Sequence, residues 1–229
     1  MRTVGILVGV IVLGFAAAFY AGLIEFDAGE SSCRHNEEID ADLRDGATAA
    51  ARAFFDALLN GEGDVAYAAL TPAVKSTITR PAFDGMLRRI RGNGPYSELR
   101  LDHAFQPSNV RAPGSVACAA MGDDPWVSVS GLPEATQLHV LLTANTRNNG
   151  WAMTSWLLKE DEAWRVQAFY VSMASIVGHD TSALLTMADE QEEKGRTLSA
   201  HMLYAAAKAA VDRGPDFELA IKHKIKAAL

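Results

Sequence analysis

The residues that could do chemistry are few and scattered. Six histidines (His35, His103, His139, His179, His201 and His223) and two cysteines (Cys33 and Cys118) are spread over 229 residues. None falls into an HExxH, CxxC or other metal-ligand spacing, and the chain has neither a P-loop nor a GxSxG turn. No catalytic set, cofactor or metal is therefore expected, and the chain does not read as an enzyme. Asp102-His103 is an adjacent acid–imidazole pair, but neighbours on a strand point to opposite faces, so a dyad is not expected there. Cys33 and Cys118 leave two alternatives open. They can pair in an oxidising compartment, or stay separate thiols with Cys118 buried in a strand.

Whatever these residues do must be positioned by the elements around them, and the first of those reads as membrane. Residues 4–24 are 21 uncharged residues in succession. As a helix they would span about 31 Å, close to the hydrocarbon thickness of a bilayer. That is longer than the apolar core of a secretory signal, although Ala16, Ala17, Ala18 and Ala21 leave signal cleavage open. Arg2 precedes the run, while Glu25, Asp27 and Glu30 follow it. The positive-inside bias then puts the N-terminus in the cytoplasm and the body outside, a single-pass arrangement in an inner membrane with a periplasmic body. Gly5 and Gly9, with Ala18 and Gly22, are small-xxx-small pairs that let another membrane helix approach.

The body follows an acidic stretch, residues 27–45, expected to be a linker. Ala47, Ala50, Ala51, Phe54, Phe55, Leu58 and Leu59 recur at helical spacing, and Gly61 and Gly63 end that helix. Further helices are expected over 64–70, with Asp64 as N-cap, and over 80–91, with Thr79 as cap and Pro81 in the first turn. The period then falls to two. Leu99, Leu101, His103 and Phe105 alternate with polar neighbours, and long Val-, Leu- and aromatic-rich segments follow at 137–146, 151–159 and 162–173. Asn148-Asn149-Gly150 and Glu160-Asp161 are the turns expected between them, which makes these strands antiparallel neighbours. Helices first and an antiparallel sheet afterwards is an α+β pattern.

Ala51, Phe54, Phe55, Ala57 and Leu58, then Gly63, Ala66-Tyr67 and Leu70-Thr71-Pro72, resemble the opening of small bacterial NTF2-like domains. Ala163-Trp164-Arg165-Val166 resembles their closing strand. The resemblance covers residues 46–178 and implies a curved sheet wrapped on helices, with a pocket at the open end. Tyr96, His103, His139 and Tyr170 are the polar residues that could line it. Residues 179–229 read as helical. Leu184, Ala188, Ala200, Tyr204 and Ala207 resemble the spacing of one tetratricopeptide repeat, with Gly195-Arg196 at its turn. One repeat cannot bury its own faces, so Ala188, Ala200, Tyr204 and Ala207 are expected to pack on the chain's own domain or to face a partner.

A net charge of −7 excludes nucleic acid as a partner, since phosphate binding needs a basic surface. The basic cluster Lys222, His223, Lys224 and Lys226 reads as the last turn of a C-terminal helix. Together these features point to an anchored, non-enzymatic accessory or scaffold subunit of a membrane complex. The alternative is a protein that holds, or transforms, a small apolar molecule in the cone. The topology has a direct check. Alkaline phosphatase fused to the C-terminus should be active in a bacterial host, whereas a cytoplasmic reporter active at that position would reverse the assignment.

Overall fold

A computed structural model describes residues 31–118, 121 and 124–228. The 4–24 run, with Gly5, Gly9, Ala18 and Gly22, lies outside the described residues, and among the described ones no helix is long and apolar enough to cross a membrane. Residues 31–229 form one compact α+β unit, with seven α-helices among the described residues and antiparallel sheets.

The stretch read as an acidic linker carries structure from Ser32 onward. Strand β1 (Ser32–His35) joins the main sheet, and helix α1 (Ala41–Asn60) begins inside the acidic segment. Asp40 starts the helix because its carboxylate accepts from the free N–H groups of Asp42 and Leu43. Gly61, at φ 83°, ends it. Acidic residues here serve as strand edge and helix cap rather than as solvated spacer. Helix α2 (Gly63–Ala68) starts one residue before Asp64, so Asp64 is not its cap and instead pairs with Arg80. A short helix not expected from the pattern, α3 (Pro72–Thr77), is capped by the Thr71 hydroxyl. Helix α4 (Arg80–Arg91) keeps the expected bounds, although Thr79 makes no side-chain cap.

Five strands make the main sheet: β1, β2 (Arg100–Ser108), β5 (Gln137–Asn145), β6 (Gly150–Glu160) and β7 (Ala163–Met173), in the order β1-β2-β5-β6-β7. The turn between β6 and β7 is Asp161-Glu162, one residue later than expected, and Asp161 takes φ 53°. A smaller sheet holds β3 (Gly114–Cys118), β4 (Val127–Gly131) and β10 (Phe217–Leu219) in the order β10-β4-β3. A two-stranded ribbon, β8 (Ser175–Ile176) with β9 (His179–Asp180), leads to α5 (Thr181–Glu193), α6 (Thr197–Val211) and α7 (Ala220–Ala228).

The main sheet is covered on both faces, which is why β5 reads as a continuous apolar run rather than a clean alternation. On one face Leu138, Val140, Leu142, Met153 and Leu157 pack under Phe54, Phe55, Leu58 and Phe83 from the helices. Those side chains fill the space under α1. On the other face Phe105 packs with Val127, Val129 and Phe217 of the small sheet and with Ala207 and Val211 of α6. Cys33 and Cys118 form a disulfide that ties β1 of the main sheet to β3 of the small one.

Residues 179–228 are thus part of the domain's second layer. Ala188, Ala200, Tyr204 and Ala207 are buried between α5, α6 and the sheet, so they do not face a partner. Ala188, Ala200 and Tyr204 close on one another with Leu185 and Leu203 inside the α5–α6 hairpin, and Ala207 packs toward Phe105 and Phe217. Asp124 accepts from the N–H groups of Ala220 and Ile221 and so caps α7 from a distant loop. Lys222 stands in the first turn of α7, not the last, where it pairs with Asp212 at 3.0 Å and Glu218 at 3.6 Å.

Phe54 and Phe55 are 1% and 0% exposed. Truncating a buried Phe costs about 3–5 kcal/mol. Phe54→Ala and Phe55→Ala should each lower the thermal midpoint by several degrees in a melting experiment, and an unchanged midpoint in both would place α1 the wrong way round.

Candidate functional site

The strand registers line up one residue from each strand on the face that meets the tail. His35 pairs with Phe105, Phe105 with His139, His139 with Trp156, and Trp156 with Ala168. Four rings therefore cross the sheet in a row. His35 stacks on Phe105 with centroids 4.6 Å apart, and His139 on Trp156 at 5.2 Å. Phe217 of β10 lies over the middle of the row, 5.4 Å from Phe105 and 6.4 Å from His139. The row ends at β7, the edge strand, with the methyl group of Ala168. A small residue where the next ring would stand leaves room, and a cleft of about 440 Å³ opens there.

The cleft runs from β6 and β7 to the segment Arg213–Asp216, with Val74, Ile78 and Met86 of the helical layer on its far side. Trp156, Phe169 and Pro215 add apolar wall. Gly214, at φ 95°, lets the chain turn against the Tyr170 ring, where a Cβ would come within 2.9 Å of it. Three of the side chains in its lining also keep a buried atom without a partner, one with no surface open to the cleft. His139 is fully buried. Its Nε2–H donates to the Ser130 carbonyl at 2.7 Å, so Nδ1 carries the lone pair, and that nitrogen has no partner. Thr154 Oγ1 and Arg213 Nε are likewise buried without partners. Arg213 Nη1 donates to the carbonyls of Ala210 and Asp212. Burial pushes the Arg213 guanidinium down to about 10, against the pull of Asp102 and Asp212. Among the described residues no carboxylate lies within ion-pair distance of it.

A second cleft of about 670 Å³ adjoins the first at Tyr170 and follows β7 to Met173, between Ala205, Lys208 and Ala209 of α6 and Lys222 and His223 of α7. Several of its polar groups are already paired. Tyr170 donates to Asp212 at 2.8 Å, which raises the phenol's pKa. Burial pushes the Asp212 carboxyl up, but the hydrogen bonds from Lys222 and Tyr170 outweigh it and hold the pKa below the usual range. Outside this cleft, the Tyr204 hydroxyl lies within hydrogen-bond distance of Asp189 and Glu192, which raises its pKa.

The four polar residues expected to share one pocket do not converge. His139 and Tyr170 line the same cleft. Tyr96 lies on the helix side, its hydroxyl donating to Ile90 O at 2.7 Å and its ring against Trp151; burial pushes its pKa up to about 12. His103 is held by His35, with His35 Nε2 and His103 Nδ1 2.9 Å apart. Burial first, then the neighbouring His103, lowers the pKa of His35. Asp102 and His103 are closer than strand alternation allows, with Oδ1 and Nε2 3.7 Å apart, because the pairing of β2 with β5 slips between Leu101 and His103. That is longer than a hydrogen bond and makes no catalytic dyad. Arg213 and Thr154 were not singled out by sequence. Arg213 follows a helix end and precedes Gly214-Pro215, which marks a turn but not its destination. No family model matches the chain, and no curated protein or solved structure matches it either.

His139 gives the site a pH signature. Burial lowers its pKa from 6.5 to about 4, opposed only by the Ser130 hydrogen bond. The unfolded chain therefore binds a proton in a range where the folded one does not. Stability held above pH 6.5 is lost as pH falls toward 4, by about 3 kcal/mol. His35 contributes with the same sign. His139→Gln keeps a donor for Ser130 O and does not titrate. Urea midpoints at pH 7, 5.5 and 4.5 should fall more steeply for wild type than for His139→Gln, and parallel curves would refute the assignment.

Proposed function

We propose that this chain is a membrane-tethered, extracytoplasmic binding protein that holds a small apolar molecule in the cleft beside Ala168. The observation that carries the reading is a cleft of about 440 Å³ walled by Met86, Trp156, Phe169 and Pro215, with a few polar side chains, His139, Thr154 and Arg213 among them, in its lining. Ligand sites combine apolar walls with a few convergent polar groups in this way. The 21-residue apolar run and its flanking charges support the tether. The Cys33–Cys118 disulfide supports the oxidising side of the membrane. Helices α1 to α4 on one face of an antiparallel sheet support an NTF2-like ancestry for residues 46–178, whose concave side would then be core and whose binding space would lie at the sheet edge.

The accessory-subunit reading has a different observation in its favour. Leu198 and Met202, one turn apart on α6, are 75% and 65% exposed. They continue the line of Ala205 and Ala209 into the larger cleft, and a partner helix or strand would cover them.

One purification separates the two. Full-length protein extracted from its native membranes in mild detergent should carry a small molecule in stoichiometric amount by mass spectrometry, and Ala168→Phe, which extends the ring row into the cleft, should lose it while melting normally. Stoichiometric protein subunits, with the same yield from Ala168→Phe and no small molecule, would instead establish the accessory role.

A further inference from the structure

We infer that the outer edge of β7, from Tyr170 to Met173, receives an extended segment of a partner protein bearing an acidic side chain, which joins the main sheet as a sixth strand. The inference goes beyond the small-molecule reading and rests on the accessory-subunit one, to which it adds the form and charge of the partner. β7 is the last strand of the sheet. Among the described residues its outer side meets one isolated bridge, Leu70 to Val166, and beyond that bridge the backbone of Gln167–Met173 bonds only to β6. Every second residue there turns an N–H and a C=O away from β6. The larger cleft lies along this edge. Tyr170, Val171, Ser172 and Met173 all line it. Tyr170 and Ser172 donate to Asp212 on the tail side, while Val171 and Met173 pack with the helical layer. Side chains of a strand alternate between its faces, so one cleft touches four in succession only from beside the strand.

Edge strands are ordinarily blunted by a lysine, a proline or a covering element. Ala168–Met173 reads Ala-Phe-Tyr-Val-Ser-Met, without a charge, proline or glycine, and so offers a bare ladder to an incoming chain. The charges across the cleft select which chain. Asp212 and Glu218 are taken by Lys222, and Glu218 also by His223. Lys208 is the one charged side chain of this lining without an ion-pair partner among the described residues, and it is exposed. An aspartate or glutamate on the added strand answers it. A second copy of this chain does not, because the strand it would add, β7, carries no charge over these residues. Leu198 and Met202 prolong the apolar side of the groove along α6.

Three end-capped synthetic peptides of alternating valine and threonine test this. One has a central aspartate, one a lysine in its place, and one the aspartate with its backbone amides N-methylated. They are titrated calorimetrically into full-length protein in lipid nanodiscs. The aspartate peptide should bind about threefold tighter than the lysine peptide, the scale of one exposed ion pair. N-methylation should weaken it by about tenfold or more, since the ladder loses its donors. Lys208→Glu, with an unchanged melting midpoint, should reverse the order of the aspartate and lysine peptides. Equal binding of the N-methylated peptide would overturn strand addition. An order unaffected by Lys208→Glu would place the peptide at another edge and overturn the site. A dimer in mild detergent that dissociates with Ala209→Arg would give the edge to a second copy and overturn the partner. Subunits that co-purify from native membranes while no peptide binds would keep the accessory role and overturn this inference alone.

Discussion

The architecture hangs on the packing of Phe217 against the ring row of the main sheet. Phe217 belongs to a three-residue strand that pairs with Val127–Val129 of the small sheet, and its ring reaches Phe105 and His139 of the large one. That contact closes the second layer. Without it, the tail-side face of five strands, with Phe105, His139, Leu141 and Trp156, would stand open to water. Aromatic contacts of this kind contribute about 0.5–1.5 kcal/mol each beyond the area they bury. Their larger effect is to fix the register between two sheets that share no strand pairing. The Cys33–Cys118 disulfide holds the same two sheets at another point, between β1 and β3.

The candidate site follows from this closure. Pressing β10 onto the sheet brings Arg213–Asp216, the segment just before it, alongside β6 and β7, and that segment forms the outer wall of the cleft. It also removes His139 from water and holds it neutral, which turns a titratable side chain into a fixed acceptor. A buried polar atom without a partner destabilises a fold by about 1–3 kcal/mol. His139, Thr154 and Arg213 each keep one such atom, so this part of the fold carries that cost.

Much of the scaffold was legible in the chain. The apolar spacing of Ala47, Ala51, Phe54, Phe55 and Leu58 sets α1 and its buried face, because helix periodicity is local. Pro81 and the stripe Phe83, Leu87 and Ile90 set α4. The Asn148-Asn149-Gly150 turn orders β5 before β6 as antiparallel neighbours, since a short turn admits no other pairing. From such features the α+β class follows. The acidic stretch before α1 was harder. Ser32–His35 looks like linker because its strand character comes only from a partner 70 residues away.

The tail shows where local reading stops. Ala188, Ala200, Tyr204 and Ala207 announce a face that must be buried, and the sequence determined that much. Ala188, Ala200 and Tyr204 close on one another within the hairpin, but what covers Ala207 was decided by the tertiary structure, through β10, whose three residues are too short to give a period. The same holds for the site. Sequence named His139 and Tyr170 as polar residues among apolar neighbours but grouped them with Tyr96 and His103. Tyr96 is held on the helix side by Ile90 and Trp151, while the bulge in β2 and strand register set His103 apart, and register is a relation between strands that no single strand encodes. Hydrogen bonding within a helix or turn is settled by neighbours in the chain; the alignment of His35, Phe105, His139, Trp156 and Ala168 is settled by five strands at once.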